Sequence, residues 1–223
     1  MEQKTWVMLE NNPDVMNQLA TKLGLSSELQ FYDIYSIDEP ELMVHIPRPA
    51  LALLAVIPLT PAWNQARNAE DAEKDWYTGS GPDEPVIWFK QTIGHACGSI
   101  VLLHSVINGP AADFIEPGSD LAAIRSVAIP LDITRRAEML YNCEPFEHAH
   151  KSVEQAGDSY SHPAIERGGG HFKGPLERGS LANDEDVLSP RALELGIKRI
   201  IKMNADGGED DVRLSCIALA PKV

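Results

Sequence analysis

Within the 223 residues, the stretch from Gln91 to Ser99 holds the residue types that could carry a reaction. Cys97 stands where an apolar run begins, with Ile100, Val101, Leu103, Val106 and Ile107 recurring until Asn108-Gly109-Pro110, and this pattern predicts a helix that starts at the cysteine. A thiol at a helix N-terminus is favoured as thiolate, because the first amides and the macrodipole stabilise negative charge there. Gly94 and Gly98, on either side, let a substrate backbone approach closely, and Gln91 can aim its side-chain amide at a developing oxyanion. The set is an acyl-transfer arrangement. It competes with a plainer reading, since a lone cysteine opening an apolar helix more often fills a core. Cys143 and Cys216 keep that plainer reading.

A thiol nucleophile also needs a base, and the chain has seven histidines. His95 falls in the tight turn before Cys97, where it lines the site, and His104 falls inside the helix as a structural residue. His148, His150, His162 and His171 together with Cys143 could be read as zinc ligands, but their spacing matches no tight ligand pair. No metal and no cofactor is expected.

Around this stretch, Asn11-Asn12-Pro13 caps a helix in which Val15, Met16, Leu19, Ala20 and Leu23 share a face until Gly24 ends it. Phe31 to Tyr35 reads as a strand, and Leu51 to Ile57 as a strand apolar on both faces through which the central sheet passes. Residues 64–85 read as a surface loop rich in charge, Gly and Pro, after which Val86 to Phe89 resume a strand. Helices are expected over Ser119 to Val127 and Asp132 to Asn142. Cys143 to Asp186 reads as one very long polar loop. Ser189-Pro190 caps a last helix, and Val212 to Ala220 finishes the chain as a strand.

This pattern predicts one α/β (α+β) domain over residues 1–223, a central, mainly antiparallel sheet flanked by helices. Nineteen Lys and Arg against 33 Asp and Glu leave a net charge of −14, which opposes phosphate backbones and anionic lipid surfaces. No nucleic acid and no membrane partner is expected, since no apolar window approaches the roughly 20 residues a spanning helix needs. Three widely spaced cysteines make neither a disulfide framework nor a CxxC site, and Glu2 and Lys4 before the short apolar stretch Trp6 to Leu9 make no secretory segment. The expectation is a cytosolic or nuclear monomer.

The stretch Lys90-Gln91-Thr92-Ile93-Gly94-His95-Ala96-Cys97-Gly98-Ser99-Ile100 closely resembles the active-site motif of the ubiquitin C-terminal hydrolases. Further blocks agree in order: Leu9 to Pro13 with Val15-Met16, Asp33 to Leu42, Ile46 to Pro49, Ala149 to Val153, Lys173 to Leu176, and the closing strand from Arg213 to Ala220. The likeness covers nearly the whole chain. It implies a papain-like thiol protease core, knotted in the family, in which Cys97 is the nucleophile and Gln91 completes the oxyanion hole. It also implies ubiquitin as partner, small adducts or peptides on its C-terminal glycine as substrate, and a crossover loop over the site near residues 150–167.

The chain departs from the family pattern at His171. Family members place the catalytic His at the start of a strand, followed by a turn and a second strand whose Asp orients it. Here Gly169-Gly170-His171-Phe172 fits the first opening, and Lys173 follows at once. His171 is taken as the catalytic base, although Gly170-His171 also matches a second, noncatalytic His of that hairpin. The orienting Asp is missing unless Asp184 or Asp186 folds back, against their ordinary reading as carboxylates leading a helix. The rival readings are a catalytically impaired ubiquitin-binding protein and a truncated splice or gene-model variant.

Overall fold

The strand Ser215–Pro221 holds the molecule together. In the computed structural model, which describes residues 4–57, 60–157, 181–182, 184–205 and 214–223, it lies between the strands β1 (Leu29–Asp33) and β2 (Ala52–Val56), antiparallel to both, and is β3. Its side chains alternate, as the pleat requires. Ile217 and Leu219 face one apolar cluster, with Phe31 and Leu54, while Cys216, Ala218 and Ala220 face another, with Ile37, Ile46, Leu188, Leu193 and Ile197. The expectation that Leu51 to Ile57 is the strand buried on both faces is therefore corrected. β2 is an edge strand with only Leu54 fully buried and Val56 exposed, and the doubly buried position belongs to the closing strand.

Helices cover both faces. α1 (Pro13–Leu23) forms as expected, with Asn12 Oδ1 accepting the Asp14 amide and Gly24 closing the C-terminus at φ 100°. α2 (Pro61–Ala72) occupies part of the expected 64–85 loop. Its Thr60 cap, Pro61 and alanine-rich interior favour a helix although no apolar stripe marks it. α3 (Cys97–Ile107), α4 (Asp120–Ala128) and α5 (Ile133–Tyr141) follow the expected spans. α6 (Glu144–Lys151) corrects the long-loop expectation from Cys143 onward, with Glu144 and Glu147 in its first turn, His150 and Lys151 in its last, and Phe146, Ala149 and His150 buried. The expected last helix is two, α7 (Pro190–Leu195) and α8 (Ile197–Ala205), because Gly196 turns the backbone to ψ −105°.

The stretch Val86 to Phe89 takes no regular secondary structure and pairs with no strand among the described residues, contrary to expectation. Side chains of α3 stand in for a neighbouring strand. Asn108 accepts the Ile87 amide at 2.8 Å and donates to the Ile87 carbonyl at 3.0 Å, and His104 Nε2 accepts the Phe89 amide at 2.8 Å. Gln91 is thus delivered along the flank of α3 toward its N-terminus.

Below this segment Arg136 is wholly buried, donating to the carbonyls of Ala128 and Ile129 and pairing with the buried Glu84 carboxylate. Breaking such a pair from one side strands the other charge, at a cost of about 3–5 kcal/mol. Arg136→Met should lower the urea midpoint far more than Arg136→Met combined with Glu84→Gln, and equal losses would show that the ion pair is not what anchors residues 81–85.

Candidate active site

Cys97 is the first residue of α3, half-buried, and in no disulfide. The body of α3 is core: Ile100, Leu102, Leu103, Val106 and Ile107 are all buried. Its N-cap residue, Ala96, makes no side-chain cap hydrogen bond, and the helix dipole favours negative charge at the Cys97 sulfur.

The turn before Cys97 is built by close backbone approach. Gly94 donates to the Lys4 carbonyl at 2.8 Å and accepts from the Trp6 amide at 2.9 Å, which pairs residues 4–6 with the turn. A Cβ on Gly94 would meet Thr5 Oγ1 at 2.9 Å, so this crossing requires glycine. Gly98 is packed similarly, with Leu9 Cβ and Met16 Cε each 3.3 Å from where its Cβ would stand. Both glycines therefore serve packing between the N-terminal segment and the site. His95 adopts φ 59°, a left-handed conformation that side chains rarely take and that strained site turns use. The Gln91 amide donates to the Ile93 carbonyl at 3.3 Å, a long bond that holds the side chain beside the turn.

His150 was expected in a crossover loop. It is instead buried on α6, donating from Nε2 to the Val7 carbonyl at 2.9 Å and accepting from the Ser99 hydroxyl at Nδ1, 2.7 Å away. The sequence reading missed this contact between Ser99 and His150, and no spacing signal could have found it, since the partners lie on separate helices. His171 and His162 fall outside the described residues, as does the crossover loop beyond residue 157. Asp186, a candidate to orient the base, is committed elsewhere: its carboxylate pairs with Arg48 and accepts the amides of Ala50 and Leu188. Among the described residues no group of three His, Cys, Asp or Glu is placed to hold a metal.

A model of the family described as ubiquitin carboxyl-terminal hydrolase, family 1, matches residues 6–174. The chain belongs to that family. It is 36% identical to ubiquitin carboxyl-terminal hydrolase 3 of Arabidopsis thaliana, covering 98% of this chain and 95% of that one. Ubiquitin carboxyl-terminal hydrolase YUH1 of Saccharomyces cerevisiae is 40% identical over 54% of this chain and 46% of its own length. In structure the hydrolase fold is shared with the UCH37 catalytic domain of Trichinella spiralis, crystallised with ubiquitin vinyl methyl ester, at a TM-score of 0.66, 20% identity, and coverage of 98% and 96% of the two chains.

The other thiols of this hydrolase chain sit in environments that suppress reaction. Burial pushes the Cys216 thiol up to about 12 and raises that of Cys143, whereas Cys97 lies at a helix start. Iodoacetamide near neutral pH should label Cys97 first, and equal labelling of Cys143 or Cys216 in the folded protein would overturn the assignment. Burial also lowers His104 and His150 to about 4 from 6.5, so the unfolded chain binds more protons than the folded one within that interval. Stability contributed by these neutral rings is complete above pH 6.5 and is lost as pH falls toward 4. His104→Gln should flatten the fall in melting temperature across that window, and an unchanged slope would exclude His104 as a source.

Proposed function

We propose that this chain acts as a cysteine-type ubiquitin hydrolase, releasing small adducts or peptides from the C-terminal glycine of ubiquitin with Cys97 as nucleophile. The observation that carries the reading is Cys97 at the first turn of a helix packed into the core, inside the family's motif. The Cys97 thiolate adds to the glycine carbonyl, and the oxyanion accepts hydrogen bonds from the Gln91 amide and a backbone N–H at the head of α3. Collapse breaks the carbon–nitrogen bond, the leaving amine takes a proton from His171, and water attacks the thioester to release ubiquitin and regenerate the thiol. Gln91 exchanges its long bond to Ile93 for the developing charge. Tyr35, Leu42 and Val44 are exposed apolar or aromatic side chains, and Tyr35 also lines a groove of about 340 Å³ with Ser36, Ile37, Asp38 and Leu214.

A second reading has its own observation. With Asp186 held by Arg48, that carboxylate is not available to orient His171, and loss of an orienting Asp costs about 10⁴ in rate in serine enzymes. The chain would then bind ubiquitin and form a covalent adduct with an electrophilic ubiquitin, but cleave amides slowly.

Reaction with ubiquitin vinyl methyl ester, followed by peptide mapping, should place the adduct on Cys97 and lose it in Cys97→Ala. An adduct elsewhere or none would refute the nucleophile assignment. Gln91→Ala should lower turnover of a fluorogenic ubiquitin amide by about 10² with ubiquitin affinity unchanged, because the amide acts on transition-state charge alone. Turnover that survives this substitution removes Gln91 from the oxyanion hole. Rapid adduct formation with negligible amide turnover selects the impaired reading.

A further inference from the structure

The geometry points to His150 as a positioning residue for Cys97, acting through Ser99 on one side and Val7 on the other, an inference that rests on the nucleophile reading above. Cys97 lies at a junction. The turn before it is tied to residues 4–6 by the two backbone bonds of Gly94, and the helix after it carries Ser99 two residues on. His150 joins both sides from a third element, since its ring bridges the Ser99 hydroxyl and the Val7 carbonyl, and Val7 continues the segment that holds Gly94.

The chemistry of the bridge leaves one arrangement. A carbonyl can only accept, so Nε2 carries the hydrogen toward Val7. Nδ1 is then a bare lone pair and takes the hydrogen of the Ser99 hydroxyl. Each group is satisfied with the ring neutral, and burial keeps it neutral by pushing its pKa down to about 4. Trp6 lies against the ring at 4.3 Å between centroids and 36°, which fixes the ring plane. Ser99 and His150 have no exposed surface, so neither can touch substrate, and their effect on the reaction must pass through the position of Cys97. Losing the hydroxyl would leave Nδ1 buried without a donor and free the first turn of α3 to shift against the Gly94 turn.

The test compares the full chain with Ser99→Ala, Ser99→Thr and His150→Phe, the last keeping a ring against Trp6. Four quantities are read on each: the melting temperature, the iodoacetamide rate at Cys97 by mass spectrometry, and kcat and KM for a fluorogenic ubiquitin amide. Ser99→Ala and His150→Phe should slow both alkylation and kcat by about tenfold or more, as displacement of a reacting group does. KM should stay within about twofold, since the ubiquitin surface is untouched. Ser99→Thr, which keeps the hydroxyl, should retain most of the rate. Folded Ser99→Ala alkylated at the parent rate overturns the inference, as does a Ser99→Thr variant that loses as much as Ser99→Ala. Alkylation needs no ubiquitin, so the two layers separate. If Cys97 of the parent chain reacts no faster than Cys143, the nucleophile reading itself fails and the inference with it, whereas a reactive Cys97 indifferent to Ser99 and His150 sinks only the positioning role.

Discussion

Helix α3 must bury most of its apolar residues and yet stay open at its first residue, and the rest of the structure follows from that requirement. Its body touches core on several sides, so Leu102, Leu103, Val106 and Ile107 are closed off completely, while Cys97 keeps partial exposure. A helix with so wide an apolar surface has to be covered on several sides, although Val101 stays exposed. The sheet supplies one wall through Leu54, Ile217 and Leu219, α1 another, and the 86–93 segment a third. The N-terminal segment then closes the gap beside the first turn, which demands glycine at 94 and close packing at 98.

Several polar groups drawn into this interior find partners there. His104 serves as acceptor for the Phe89 amide, Asn108 pairs with both backbone groups of Ile87, and Arg136 spends its donors on two carbonyls and Glu84. The bonds to Ile87 and Phe89 stand where a strand-to-strand ladder would, so the segment leading to Gln91 is held by side chains. On the opposite side of the sheet Asp186 performs the same service, binding Arg48 and two amides where the chain enters α7. A buried carboxylate with that many donors is a structural fixture, which is why it is not free to attend a histidine elsewhere.

Much of the fold was legible because amphipathic spacing and caps are local. The stripe from Val15 to Leu23 between Asn12 and Gly24 specifies α1, and the apolar run after Cys97 specifies α3. Elements without a stripe escaped notice. α2 is polar along its length and declares itself only by Thr60-Pro61 and its alanines, and α6 shows its apolar face in just Phe146, Ala149 and His150, one of them a histidine that buries as neutral. Strand burial was misassigned between β2 and β3 because both are apolar, and which of two apolar strands is central depends on pairing, not on composition.

The sequence by itself determined the family and the candidate thiol with its amide neighbour, since these rest on residues contiguous in the motif from Lys90 to Ile100 and on a helix whose start is marked locally. It also determined the acidic charge that sets the chain apart from nucleic-acid and anionic-lipid binders. What only the tertiary structure decided are contacts between residues distant in the chain: Val7 and Ser99 meeting on His150, Lys4 and Trp6 on Gly94, and Arg48 on Asp186. Such contacts leave no periodic trace, because each depends on the angle and register at which whole elements pack, and those are set by the summed apolar burial of the core, not by any segment alone.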